Sequence, residues 1–246
     1  MNRFIPPDFA DELLRFAAYA DKEARGDLAL GFIRDEDDYT SHFAGALRRN
    51  VNAHTALGLR ASSYVLPQGL ERRTGCDGAI IVTHSGFSKV ALFEAKWPRV
   101  SDSGYAWDYA QTSTGLSHYS DQLSRQKRLR PEFAVFEMFY NEHSFGEQPP
   151  YMHDELSSCV WRDWAATYDA ARPNLNSPWT QGDLKALLGA HPVTSITEVL
   201  ADLCECRAGA PIRSFGNTAT FAGEFGIDGI VLEIQVPDTV SPRRAP

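Results

Sequence analysis

Residues 77–97 read DGAIIVTHSGFSKVALFEAKW. An apolar run covers 77–83, a Ser-Gly-Phe-Ser segment follows at 85–88, and a second apolar run covers 89–97. Two such runs separated by a short glycine-containing break predict a tight antiparallel hairpin with its turn near Ser85–Ser88. Side chains alternate along a strand, so Glu94 and Lys96 project on one face, behind Val90 and Leu92. Ala91, Phe93, Ala95 and Trp97 point the other way. A strand apolar on both faces is a buried strand. Charges at its end are costly unless a metal or an opposite charge compensates them. The hairpin also brings Asp77 back alongside Glu94 and Lys96, so two carboxylates and a lysine converge at one edge of a sheet.

Upstream, residues 8–24 carry apolar residues at helical spacing and predict a first helix. Asp35 suits the N-cap of a second, running through EDDYTSHFAGALRRN to about Asn50. Glu36, Thr40, Phe43 and Leu47 share one face of it. Acids at a helix start complement the macrodipole, but that does not account for Glu36 lying in line with Phe43 and Leu47. ALGLRASSYVLP (56–67) holds a first strand. Downstream, a helix is expected over 116–129 and a strand over 133–140 (FAVFEMFY). Gln122 in that helix could position water or contact phosphate; an exposed helix amide explains it equally well.

Residues 141–150 (NEHSFGEQPP) form a boundary. Beyond it, helices are expected over 153–171, with Trp161 and Trp164 on one face, over 181–190 and over 194–207. A final strand is expected over 229–236. The domain reading is a core over 1–145 and a mainly helical C-terminal extension over 146–246, whose final strand packs on the core. GIDGIVLEIQV repeats the DG-plus-strand pattern with Asp228 and Glu233, but no lysine follows, and it reads as structural: an extra strand or a dimer contact.

Two carboxylates with a lysine suit phosphodiester hydrolysis. Carboxylate oxygens hold Mg²⁺, which acidifies water and offsets charge on the phosphate. A lysine ammonium orients the attacking water or meets the scissile phosphate. The set Glu36, Asp77, Glu94-Ala95-Lys96 and Gln122, spread over residues 33–140, resembles the PD-(D/E)xK nuclease superfamily. Cys76 stands where that motif has proline, which removes no catalytic atom. The resemblance implies an α/β, restriction-endonuclease-like fold: a mixed central sheet flanked by helices. It implies metal binding by Asp77, Glu94 and Glu36 with the Ala95 carbonyl, and a water-orienting or general-base role for Lys96 supported by Gln122. The metal would be Mg²⁺, with Mn²⁺ as substitute. The activity implied is endonucleolytic hydrolysis of DNA, in restriction, repair or regulated bacterial antiviral defence. The alternative is a non-catalytic nuclease-like module that binds nucleic acid or protein.

The bulk properties constrain the rest. A net charge of −8 is not that of a general nucleic-acid coat, though basic residues need only line one groove. Basic clusters occur at Arg48-Arg49, Arg72-Arg73 and among Arg125, Lys127, Arg128 and Arg130; each alone reads as solvated surface. Cys76, Cys159, Cys204 and Cys206 make no zinc spacing and read as buried thiols. His143 and His153 offer no ligand geometry. No apolar run approaches the roughly 20 residues that cross a bilayer, and the N-terminus lacks a signal-peptide pattern. The expected setting is cytoplasmic, with a nucleic-acid substrate (DNA ahead of RNA), no membrane partner, and room for a homodimer, a higher assembly or an activating partner.

Overall fold

The computed structural model describes residues 3–66, 74–97, 99–101, 104–140, 157–174, 177–190, 194–215 and 229–239. Helix α1 (Pro7–Ala29) opens on a proline at its first turn, where the missing N–H costs nothing. Phe9, Leu13, Phe16, Ala17, Ala20, Ala24 and Leu28 line its buried face. Helix α2 (Glu36–His54) is capped by Asp35, whose side chain accepts the Asp38 N–H at 2.9 Å. Its inner face carries Tyr39, Thr40, Phe43, Leu47 and Val51.

Strand β1 (Arg60–Leu66) precedes the hairpin. Strands β2 (Gly78–His84) and β3 (Phe87–Lys96) pair antiparallel from Gly78↔Phe93 to His84↔Phe87. Ser85 and Gly86 make the turn at φ 49° and 78°. Left-handed backbone at two central residues is the turn whose twist matches a tight hairpin. A small hairpin, β4 (Arg99–Ser101) with β5 (Gly104–Ala106), lies outside the main sheet. Helix α3 (His118–Gln126) and strand β6 (Ala134–Phe139) follow, β6 parallel to β3.

The later chain differs from its sequence pattern at residues 158–161 and at 194–195, which are strand where the pattern predicts helix. Residues 158–161 form strand β7 (Ser158–Trp161), antiparallel to β6, and helix α4 (Arg162–Ala171) begins only at 162. Trp161 therefore packs on Phe136, while Trp164 is partly exposed. Two tryptophans three apart look like one helix face, yet a strand-to-helix switch between them separates their environments. Helix α5 (Gln181–Ala190), strand β8 (Thr194–Ser195), helix α6 (Ile196–Cys204), strand β9 (Ile212–Arg213) and strand β10 (Gly229–Gln235) complete the fold. Ser195 and Glu198 form a reciprocal capping box on α6. Cys76, Cys159 and Cys204 are buried, but Cys206 is exposed just past α6 in left-handed backbone, against its expected burial. A residue that ends a helix this way is turned out of the packed face.

The sheet runs β1-β10-β2-β3-β6-β7-β8, with β9 on the start of β3. It is mixed: β10 is parallel to β2 and antiparallel to β1. The second DG segment is thus neither an appendage nor an edge, because β10 lies between β1 and β2. Segments from both sides of the 141–150 boundary share this sheet; the boundary itself, Arg72-Arg73, His143, His153 and Asp228 lie outside the described residues. Helices α1, α2 and α6 pack on one face through Phe43, Leu47, Ile80, Phe93, Phe136 and Leu200. Helices α3, α4 and α5 pack on the other through Tyr119, Leu123, Phe139, Ala165 and Leu187. The result is a three-layer α/β protein. Among the described residues, no helix is long and apolar enough to cross a membrane.

Candidate active site

Asp77 stands one step before β2, opposite Glu94 in register. Three backbone contacts fix it. Its N–H donates to the Phe93 carbonyl at 2.8 Å, and its own carbonyl accepts the Ile230 N–H at 3.2 Å. Its side chain accepts the Ala95 N–H at 2.8 Å. Two glycines permit this crowding. At Gly229 (φ 79°), a Cβ would collide with the Asp77 carbonyl; at Gly78 it would come within 2.8 Å of the Ile230 carbonyl. Both DG pairs thus serve one place, the first presenting Asp77 and the glycine of the second letting β10 pass against it.

Glu94 and Lys96 leave β3 on the same face and pair directly, both buried. The Lys96 ammonium also donates to the Ala95 carbonyl at 3.0 Å and lies 5.3 Å from the Tyr119 ring centroid. Gln122 projects inward from α3 and donates to the Glu94 oxygen that holds Lys96. It is 3% exposed, so the reading as a solvent-facing amide falls away. Glu36 reaches the site from the start of α2, where its Oε1 accepts the Trp97 N–H at 2.8 Å. All five side chains singled out in the sequence, Glu36, Asp77, Glu94, Lys96 and Gln122, line one cavity of about 410 Å³, whose wall also carries Arg34, Trp107, Asp108, Tyr109 and His118.

Glu137 is the residue that pattern reading missed. It pairs with Glu94 across the parallel β3–β6 ladder and is fully buried. Tyr119 and Gln126 are among its polar neighbours, but neither carboxyl oxygen has a partner at hydrogen-bond geometry. Its signal was one acid inside the apolar strand AVFEMF. Recognising it as part of the site requires the β3–β6 register, which no local pattern contains.

The electrostatics follow from burial. Burial, then Asp77, pushes the Glu94 carboxyl well above the usual range, while Lys96 pulls it back. Burial raises Glu137 to about 8, with Lys96 again opposing. For Lys96, burial works against the charge, but Glu94, Glu36 and Asp77 outweigh it and hold the ammonium protonated. Burial, with repulsion from Lys96 and Arg125, lowers His118, keeping it neutral near pH 7.

Two buried oxygens at the centre, Glu94 Oε2 and Gln122 Oε1, have no hydrogen-bond partner. Unmet acceptors beside an acidic cavity suit a cation, and an all-oxygen donor set suits a hard one such as Mg²⁺. Among the described residues, no three His, Cys, Asp or Glu side chains stand at ion-holding spacing. The positive charge against Glu94 is the Lys96 ammonium.

A polar network sets the base of α2. Tyr140 donates its N–H to the Lys96 carbonyl at 2.8 Å, its hydroxyl meets Thr40 Oγ1 at 2.9 Å, and Thr40 donates to the Glu36 carbonyl at 2.8 Å. The Tyr140 ring stacks on Tyr39 at 3.8 Å. The helix carrying Glu36 is thereby tied to the strand carrying Lys96. No protein-family model matches the chain, and no curated protein or solved structure matches it.

Proposed function

We propose that the chain is a Mg²⁺-dependent endonuclease that hydrolyses DNA phosphodiester bonds, on a restriction-endonuclease-like arrangement of α2, β2, β3, α3 and β6. One observation carries the reading: acids, a lysine and an amide from separate elements line one cavity, with unmet oxygens at its centre. Asp77, Glu94, Glu36 and the Ala95 carbonyl are the residues to hold the metal. Bound there, Mg²⁺ supplies charge neutralisation at the phosphate and a more acidic water. Lys96, kept protonated by the surrounding acids, directs its ammonium at the water or the phosphate oxygen. Gln122 holds the Glu94 carboxylate in place, and Trp97 N–H orients Glu36. The acidic net charge favours an enzyme brought to DNA under control, as in restriction, repair or antiviral defence, over one that coats it.

The test is incubation of purified protein with supercoiled, linear and single-stranded DNA and with RNA, with and without Mg²⁺. Mg²⁺-dependent DNA cleavage lost in Glu94→Ala is expected; equal cleavage by that variant would sink the assignment. One observation favours a second reading, a non-catalytic binding module. Lys96 and Gln122 already engage one Glu94 oxygen, closing the pair on itself. Calorimetric titration with Mn²⁺ separates the two, since only the nuclease requires metal binding that depends on Asp77 and Glu94.

A further inference from the structure

Beside the candidate centre lies a second cavity of about 530 Å³, walled by Gln111, Asp121 and Arg125 and sharing Tyr109 and His118 with the first. The two spaces meet over one aromatic pair. The Tyr109 and His118 rings stack with centroids 4.5 Å apart and planes 16° from parallel, and Tyr109 is 42% exposed. The pair is built before any ligand arrives. The Asp108 carboxylate accepts the Tyr109 N–H at 2.8 Å, the Ser117 hydroxyl at 2.6 Å, and the Tyr119 and Trp179 N–H groups at 3.0 Å. His118 N–H closes the loop onto the Tyr109 carbonyl at 2.9 Å.

A rigid flat surface of this kind loses little freedom when something stacks on it. Its wall carries the polar side chains of Gln111, Asp121 and Arg125, and it adjoins the cavity assigned to the phosphate. The group that fits both is a planar base joined to that phosphate. In a duplex, bases are paired and stacked on one another; in a single strand their faces are available, and aromatic side chains take them without regard to sequence. On the nuclease reading, on which this rests, we infer that the substrate is an unpaired DNA strand whose base beside the reacting phosphate stacks on Tyr109. On the far wall Arg125 is ion-paired with Asp121 at 3.0 Å, so the stacking surface, not net charge, carries the inference.

The test is fluorescence anisotropy with a labelled single-stranded oligonucleotide and its duplex, in Ca²⁺ without Mg²⁺. Wild type is expected to bind the single strand more tightly. Tyr109→Ala should weaken that binding about tenfold, within the range of one lost base–aromatic stack, while Tyr109→Phe retains it. Tyr64→Ala, equally exposed but on β1, is the control and should bind as wild type. Far-UV circular dichroism checks that each variant is folded. Undiminished binding by Tyr109→Ala, or a wild-type preference for duplex, overturns the inference. Cleavage in Mg²⁺ is read separately. Cleavage together with Tyr109-independent binding removes the stacking site and leaves the nuclease reading standing. Tyr109-dependent single-strand binding without cleavage keeps the stacking site and removes the nuclease reading.

Discussion

At the scale of single residues, the centre is a set of buried charges that constrain one another. On the nuclease reading, Asp77→Ala, Glu94→Ala and Lys96→Ala should each lower Mg²⁺-dependent cleavage by about a hundredfold or more, measured as initial rates on single-stranded DNA, with the fold checked by circular dichroism. Glu137 offers a test independent of activity. Unfolded, its carboxyl loses its proton near 4.5; folded, it does so at about 8. Between those values the folded state holds the extra proton, so stability falls as pH rises through that window and levels off above it. Glu137→Gln mimics the protonated form, so its urea midpoint, measured in EDTA from pH 5 to 9, should fall less steeply than that of wild type. Parallel slopes would show that Glu137 is not the titrating group. Asp77, Glu94 and Lys96 were legible because alternation along one strand and the return of one hairpin suffice to bring them together. Glu137 was not, because its meaning depends on which strand it lies beside.

At the scale of elements, legibility followed the strength of local pattern. The β2–β3 hairpin, α2 with its Asp35 cap, α3 and β6 each carry a period, a cap or a turn of their own. Strand β7 has four residues, too few for alternation to outweigh the helical signal running into α4. Strand β10 was readable as a strand, but its place was not, because neither neighbour is near it in sequence. Gly229 is where that placement becomes testable. Its left-handed backbone and the Asp77 carbonyl against it leave no space for a Cβ. Gly229→Ala should destabilise the protein by more than ~1 kcal/mol, lowering the melting temperature by at least about 2–4 °C for a chain of this size. Cleavage should fall with it, since the collision displaces Asp77. A variant that melts and cleaves like wild type would contradict the packing described.

At the scale of the whole molecule, the sheet cannot be cut at the boundary its sequence suggests. Removing β10 parts β1 from β2, leaves two unpaired edges, and takes the buried Val231, Leu232 and Ile234 out of the core clusters, uncovering apolar residues such as Ile80, Val82 and Ala79. Deletion of residues 229–246 should therefore give an aggregating or loosely packed chain without a cooperative thermal transition, seen by calorimetry and by binding of a hydrophobic dye. A cooperative, monomeric product would show that the first strands form a sheet without it. The same insertion has a consequence in time. Strand β10 follows the other described strands in chain order, yet its Ile230 N–H and Gly229 backbone hold Asp77 in position. Until those residues emerge, Asp77 has only its contacts to Phe93 and Ala95 on β3 and lacks the one from Ile230. On the nuclease reading, the site is completed only once the segment 229–235 has emerged and paired with β2.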